Sequence, residues 1–153
     1  MTGKVSAFLD TSALFAGIWF SSGGSRMILK LGEAGLVEIL LSSQVLKEIE
    51  SVIKKKSPDN IGYLALLLDR SGVRVVANPN EDLIKRCINY VAHSGDAEVI
   101  AAAWSNQVDF FVTLDRKHFI NNQSLTEKVP FPIGTPGDFL TWYRDQLTNL
   151  QAN

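Results

Sequence analysis

Short apolar or β-branched runs, separated by stretches of helical periodicity and by no tight hairpin signal, constrain this chain most. Four stand out: "VSAFL" (5–9), "VEILL" (37–41), "VRVVA" (73–77) and "FFVTL" (110–114). "PFPI" (130–133) is a fifth, weakened by its prolines. Helical patterns fill the intervals. One runs through "RMILKLGEAG" after the "SSGGS" loop at 21–25, and one starts at a Ser42 or Ser43 cap and continues through "QVLKEIESVIKKK" to Pro58. Three more are "IGYLALLLDRSG", "NEDLIKRCINYVAHSG" and "DAEVIAAAWSNQ". The last opens at "TPGDFLTWYRDQL", where Thr135 can cap and Pro136 takes the first helical position. Strands alternating with helices predict an α/β fold with a parallel sheet covered by helices on both faces.

The 153 residues predict a single domain, 1–153, with enough apolar side chains for one sizeable core. A formal net charge of −1 provides no global attraction to nucleic acid, so such binding must come from local patches or bound metal. The single cysteine, Cys87, excludes an intrachain disulfide framework and a multi-cysteine zinc site, and reads as a small buried residue. The apolar stretch before Asp10 is too short for a secretory signal, and no window approaches the roughly 18 apolar residues of a membrane span. The expectation is a soluble cytoplasmic protein with no membrane contact.

In parallel α/β sheets, sites form beyond the carboxyl ends of the strands. Two of the runs end on an acid: "AFLDTSALF" reaches Asp10 and "VDFFVTLDRKHF" reaches Asp115. Each acid alone reads equally as a helix N-cap. If the two strands are neighbours, both acids emerge on one edge, which weakens that plain reading. Asp96 is a third. At 100° per residue it falls about 40° from Ile100, inside the stripe of Ala97, Ile100, Ala103 and Trp104, whereas Glu98 falls about 160° away. Gly95 permits close backbone approach just before it. A carboxylate at a helix start gains from the macrodipole, but one aimed inward still needs a partner. Glu48 is a fourth, and here the helical wheel leaves a choice. Glu48 and Glu50 lie about 100° on either side of Ile49.

Four carboxylates in one place repel unless a divalent cation neutralises them. Mg²⁺ or Mn²⁺ matches hard oxygen donors and leaves positions for phosphate and water. His93 and His118 show no metal-ligand spacing and read as surface residues or as residues behind the acids. Arg26, Lys30, the Lys54–Lys56 run, Arg116 and Lys117 are candidates for phosphate contact. A lysine run at a helix end also reads as a solvated face complementing the helix dipole. Trp19 and Phe20, ahead of the "SSGGS" loop, are expected in the core, with an exposed partner-binding patch as the alternative. Trp104 and Trp142 lie on apolar helical faces and read as core.

With these residues assembled, the chain resembles a PIN domain along nearly its whole length. The likeness runs through "FLDTSALF", "SSQVLKEIE", "SGDAEVIAAA", "VDFFVTLDRKHF" and "GTPGDFL", in that order. The nearest likeness is to the VapC-like group, bacterial and archaeal PIN proteins classed as toxins of toxin–antitoxin pairs. The resemblance implies a three-layer α/β/α sandwich with a central, mostly parallel sheet, a metal-dependent endoribonuclease acting on single-stranded or structured RNA, a homodimer, and an antitoxin protein as partner. It assigns the acid quartet to Asp10, Glu48, Asp96 and Asp115, with Asp10, Asp96 and Asp115 as metal ligands, and it selects Glu48 over Glu50. Ser12 matches a small residue supporting the first acid, and Thr113 the polar residue two before the last. Many relatives carry a further acid after the last one. Here "LDRKHF" supplies Arg116 and Lys117, which puts a second metal position in doubt and offers a phosphate contact instead.

Two other chemistries fit less well. A haloacid dehalogenase-like phosphatase wants a second aspartate two residues after the first, where this chain has Ser12. A receiver-type domain needs its acid after a middle strand, yet "VEILLSS" and "VRVVANP" end on none. A PIN-like domain that binds RNA or protein without cutting is the third alternative.

Overall fold

A computed structural model describes residues 4–152. Its elements follow the alternation closely. In chain order they are β1 (Val5–Leu9), α1 (Thr11–Trp19), α2 (Gly24–Glu33), β2 (Val37–Ser42), α3 (Ser43–Lys56) and α4 (Ile61–Arg70). The second half comprises β3 (Arg74–Val76), α5 (Glu81–Ile88), α6 (Ser94–Ser105), β4 (Phe110–Val112), α7 (Gln123–Thr126), β5 (Ile133–Gly134) and α8 (Pro136–Ala152). A 3-10 turn at Pro58–Asn60 and a π-type turn at Arg116–Ile120 complete the chain.

The five strands form one sheet in the order β3-β2-β1-β4-β5, and every pairing is parallel. The strand order reverses at β1, which has β2 on one side and β4 on the other. That is the switch point where α/β sheets open a crevice at their carboxyl ends. The register places Phe8 beside Phe111 and Leu9 beside Val112, so Asp10 and Thr113 come next on the two strands.

Alternation along the strands sends side chains to two faces. Ala7, Ile39 and Phe110 face α2 and α8. A Cβ on Gly32 would lie 2.6 Å from Ile39 Cδ1, so α2 can approach the sheet this closely only with glycine there. Phe110 meets Phe139 of α8 edge-on, with ring centroids 5.3 Å apart. On the other face Phe8 stacks on Phe111 at 5.5 Å, and Phe119 of the π-type turn packs on Phe111 at 5.2 Å. Layers of helix on both faces of a parallel sheet make this an α/β/α fold.

The caps explain where several helices start. Ser42, not Ser43, caps α3, its Oγ accepting from Val45 N at 3.1 Å. Thr135 and Asp138 bond reciprocally at the start of α8, Thr135 N to Asp138 Oδ2 at 2.9 Å and Asp138 N to Thr135 Oγ1 at 3.1 Å.

Some expectations need correction. The strand expected over 110–114 ends at Val112, because Thr113 and Leu114 already turn into the loop that carries Asp115. The helix expected over 80–95 ends early, at Ile88, and the one expected over 96–107 starts two residues sooner, at Ser94. Trp19 and Phe20 are not core residues, being 47% and 57% exposed. The buried stripe of α1 consists of Ala13, Leu14, Gly17 and Ile18, so Trp19 lies one step around the helix from it and Phe20 is the C-cap. Trp104 and Trp142 are half-buried against the core rather than inside it. Cys87 is fully buried, as expected. Among the described residues no helix is long and apolar enough to cross a membrane.

Candidate active site

Asp10 begins the site. It is the residue after β1 and the N-cap of α1, with Oδ1 accepting from Ala13 N at 3.0 Å. Its cap role and its place at the crevice are therefore not alternatives. Ser12 Oγ donates to the same Oδ1 at 2.8 Å, and Thr113 Oγ1 donates to Oδ2 at 2.5 Å. Asp10 is only 6% exposed, and burial pushes its carboxyl above the usual range. The three hydrogen bonds pull in the opposite direction, and the nearby Asp115 charge adds to the rise.

Thr113 and Ser12 tie this acid to the end of β4. Thr113 Oγ1 also accepts from Asp115 N at 3.0 Å, and Ser12 Oγ accepts from Leu114 N at 3.0 Å. Each hydroxyl donates to Asp10 while accepting from the loop that presents Asp115. That is why the spacing "D-x-S" after one strand answers "T-x-D" after its neighbour.

Asp115 caps the π-type turn, its Oδ1 accepting from His118 N at 3.0 Å. Its Oδ2 lies 2.7 Å from His118 Nδ1. An ionised carboxylate can only accept, so Nδ1 carries the proton of this bond. The His118 ring in turn meets the ring of His93 edge-on, with centroids 5.1 Å apart.

Asp96 stands in the first turn of α6, half-buried, while Glu98 is exposed, as the wheel predicts. Burial pushes the Asp96 carboxyl up. His118 and His93 pull it down, and Asp115 and Glu48 push it up again. Gly95 lies against the tip of Gln44 from α3, where a Cβ would sit 3.1 Å from Gln44 Nε2. Glu48 is on α3, exposed, with Oε1 accepting from Gln44 Nε2 at 3.1 Å and Oε2 accepting from the Thr11 hydroxyl. Glu50 lies on a different side of α3, among residues facing α4, which closes the choice that the wheel left open.

Asp10, Glu48, Asp96 and Asp115 thus line one open cavity of about 520 Å³ at the carboxyl edge of the sheet. Ser12 lines it as well, and Thr113 lies buried directly behind. Arg116 and Lys117 are exposed and do not line the cavity. Arg26, another candidate for phosphate, is already engaged. Its Nε and Nη2 donate to the carbonyls of Gly17 and Ile18 at 2.7 and 3.1 Å, closing the end of α1. Lys56 alone of the 54–56 run lines the cavity.

Of the two readings of His93 and His118, surface or behind the acids, the structure places both rings at the acid cavity, His118 against Asp115 and His93 against His118. The signal was present for His118, which stands three residues after a capping aspartate, where a turn returns the side chain to the cap. No signal placed His93, which comes from the loop before α6.

The donor set fits a hard divalent cation. It is oxygen-only, and burial, with a smaller contribution from the neighbouring acids, raises the proton affinity of Asp10 and Asp96, which a cation would offset. Among the described residues no three acidic or histidine side chains close on a single point. An ion here would take a few carboxylate oxygens and complete its shell with water, the usual habit of Mg²⁺.

The family profile of the PIN domain matches residues 6–117. The chain belongs to the PIN domain family. The match spans β1 to the π-type turn and so includes all four acids. No curated protein sequence matches the chain significantly. Among solved structures, the chain is similar to one from VapBC2 of Rickettsia felis, bound to a DNA fragment from the promoter. That likeness has 17% identity and a TM-score of 0.66, over 85% of this chain and 98% of the other. It is similar to PAE2754 from Pyrobaculum aerophilum at 18% identity and TM-score 0.57, over 100% and 95% of the two chains. It is also similar to VapC20 of Mycobacterium tuberculosis, described as a toxin that cleaves the sarcin–ricin loop. There the identity is 16% and the TM-score 0.52, over 72% and 91%. At these identities the likeness concerns the fold.

Proposed function

We propose that this PIN domain is an endoribonuclease dependent on Mg²⁺ or Mn²⁺, hydrolysing phosphodiester bonds in single-stranded or structured RNA. The observation that carries this reading is the convergence of Asp10, Glu48, Asp96 and Asp115 on one cavity at the switch point of the sheet. Asp10, Asp96 and Asp115 are the proposed metal ligands, and Glu48 a ligand or the group that orients the attacking water. A bound divalent ion supplies polarised water and offsets charge on the phosphate. The chain's own residues do the rest. Ser12 and Thr113 fix both Asp10 oxygens, and the His118 imidazole holds Asp115 at the turn. Glu48, exposed at the cavity mouth, can accept a proton from water on the solvent side.

The similarity to VapBC structures supports a further reading, that the protein is the toxin of a toxin–antitoxin pair and is restrained by an antitoxin protein. In this reading the chain acts as one domain, 1–153, forms a homodimer and works in the cytoplasm, where its RNA substrate lies. Arg116 and Lys117, on the exposed turn beside Asp115, would meet substrate phosphate only outside the cavity.

Cleavage of a labelled single-stranded RNA in Mn²⁺ or Mg²⁺ tests the proposal, beside an EDTA control and an identically purified Asp96→Asn variant. The expected result is cutting that disappears in both controls. Protein that binds the metal but leaves a broad set of RNAs uncut would favour a binding-only PIN domain. Cutting that survives Asp96→Asn would mean the site is misassigned.

A further inference from the structure

A second cavity of about 300 Å³ adjoins the acid cavity where α1 meets the α3–α4 connection. Two exposed aromatic rings line it, Trp19 from the end of α1 and Tyr63 from α4, 47% and 42% exposed. Its polar edges are Ser21, Asn60 and Arg26, whose guanidinium is already engaged on the Gly17 and Ile18 carbonyls. The Asn60 amide donates one hydrogen to Ser57 Oγ at 2.6 Å, which leaves its carbonyl oxygen and a second N–H for another partner.

One aromatic stack links the two cavities. Trp19 stacks on Phe15 with centroids 5.5 Å apart and planes 15° from parallel, and Phe15 lines the acid cavity. Lys56 Nζ lies over the Phe15 ring, 5.6 Å from its centroid, and lines the acid cavity too. One turn earlier on α3, Ile53 lines the second cavity. Moving outward from the carboxylates, a ligand therefore meets a cation above an aromatic ring, then a stacked indole, then a pocket with flat walls and hydrogen-bonding edges.

That sequence of groups matches a nucleotide chain: phosphate at the ammonium, base against the rings, base edge at the amide. Only an unpaired base can present its face to such a pocket. We infer that the Trp19–Tyr63 cavity is a subsite for the unpaired base of a nucleotide flanking the scissile phosphate, with Lys56 on the intervening phosphate. The inference rests on the nuclease reading and narrows its substrate to RNA that is single-stranded at this position. Charge and continuity favour RNA over a protein as occupant: the exposed Lys56 stands over the stack between the two cavities, and the stack leads into the proposed catalytic cavity rather than away from it.

Fluorescence anisotropy tests it, using a labelled single-stranded oligoribonucleotide in EDTA at fixed low salt, beside cleavage in Mn²⁺. Trp19→Ala should weaken binding about tenfold, the scale of losing one base–aromatic stack. Trp19→Phe should recover most of this. Tyr63→Ala, at a residue that does not line the acid cavity, should also weaken binding while the variant melts like the parent. Leu147→Ala, on the exposed part of α8, should bind normally, and a duplex of the same sequence should bind less well than the single strand. Unchanged binding by Trp19→Ala and Tyr63→Ala, with cleavage still present in the parent, would overturn the subsite and leave the nuclease reading intact. That outcome would give the aromatic surface to a protein partner. Binding that depends on both rings, with no cleavage under any divalent ion, would uphold the subsite and sink the nuclease reading. A parent protein that neither binds nor cuts single-stranded RNA would overturn both.

Discussion

Asp10 and Glu48 line the same cavity, yet the chain holds them in opposite ways. Asp10 sits at the end of a buried strand, with both oxygens bonded by Ser12, Thr113 and the Ala13 amide. Glu48 projects from α3 into solvent on a longer side chain, steadied by Thr11 and Gln44. Burial fixes the geometry of Asp10 but makes its charge costly, which is why its carboxyl is raised. Exposure leaves the position of the Glu48 side chain adjustable. In the nuclease we propose, the contrast divides the roles: the β1–β4 side would set where a cation and phosphate sit, and the α3 side would adapt to whatever occupies the space between.

The sharpest way to break this comparison is to neutralise each acid in turn. Asp10→Asn should lower RNA cleavage by more than about a hundredfold, above the 10–100-fold typical of losing a partner behind a metal ligand. Glu48→Gln should cost about tenfold, and equal losses would erase the distinction. Thr113→Val tests the rigid side one step back. It unties Asp10 from the Asp115 amide in a fully buried position, so it should cost about 1–3 kcal/mol of stability and leave cleavage impaired. Chemical denaturation alongside single-turnover cleavage measures both.

A smaller effect with the opposite sign is expected from Asp96→Asn. Raised carboxyl pKa values mean that the folded protein holds these protons more tightly than the unfolded chain does. The contribution of Asp10 and Asp96 to stability is therefore present at low pH and lost as pH rises through their shifted range. At neutral pH without divalent metal, Asp96→Asn should melt above the parent, and the difference should shrink on acidification. A variant that melts below the parent would show that Asp96 is stabilised where it stands. The smallest effect belongs to Thr11→Val. It removes a hydroxyl from exposed Glu48 and should change stability by less than about 0.5 kcal/mol.

Much of the site was legible because it depends on two short-range regularities. Strand runs ending on Asp10 and Asp115 reveal the shared edge once the sheet is parallel, and the 3.6-residue period turns Asp96 inward and Glu98 outward. Where the period is symmetric, as for Glu48 and Glu50 about Ile49, the wheel carries no information and tertiary packing decides. Thr113 and Ser12 were legible only as family matches, since their double role depends on the register between β1 and β4. The misplaced and undecided residues share one cause. Trp19 and Phe20 are apolar, and hydrophobicity predicts burial, but α1 ends before its buried stripe comes round to them. The sequence leaves His93 and His118 between the surface and a place behind the acids, and only the π-type turn and the loop before α6 decide it by bringing their rings together. In each case the missing information is where an element stops, which composition and period fix least well.

The central claim is that Asp10, Asp96 and Asp115, from separate elements, hold one divalent metal beside Glu48, and calorimetric titration with Mn²⁺ tests it most directly, without any RNA. The parent protein should bind Mn²⁺, and both Asp10→Asn and Asp115→Asn, folded as judged by their melting, should lose that binding. Mn²⁺ binding that is unchanged in both variants would contradict the account.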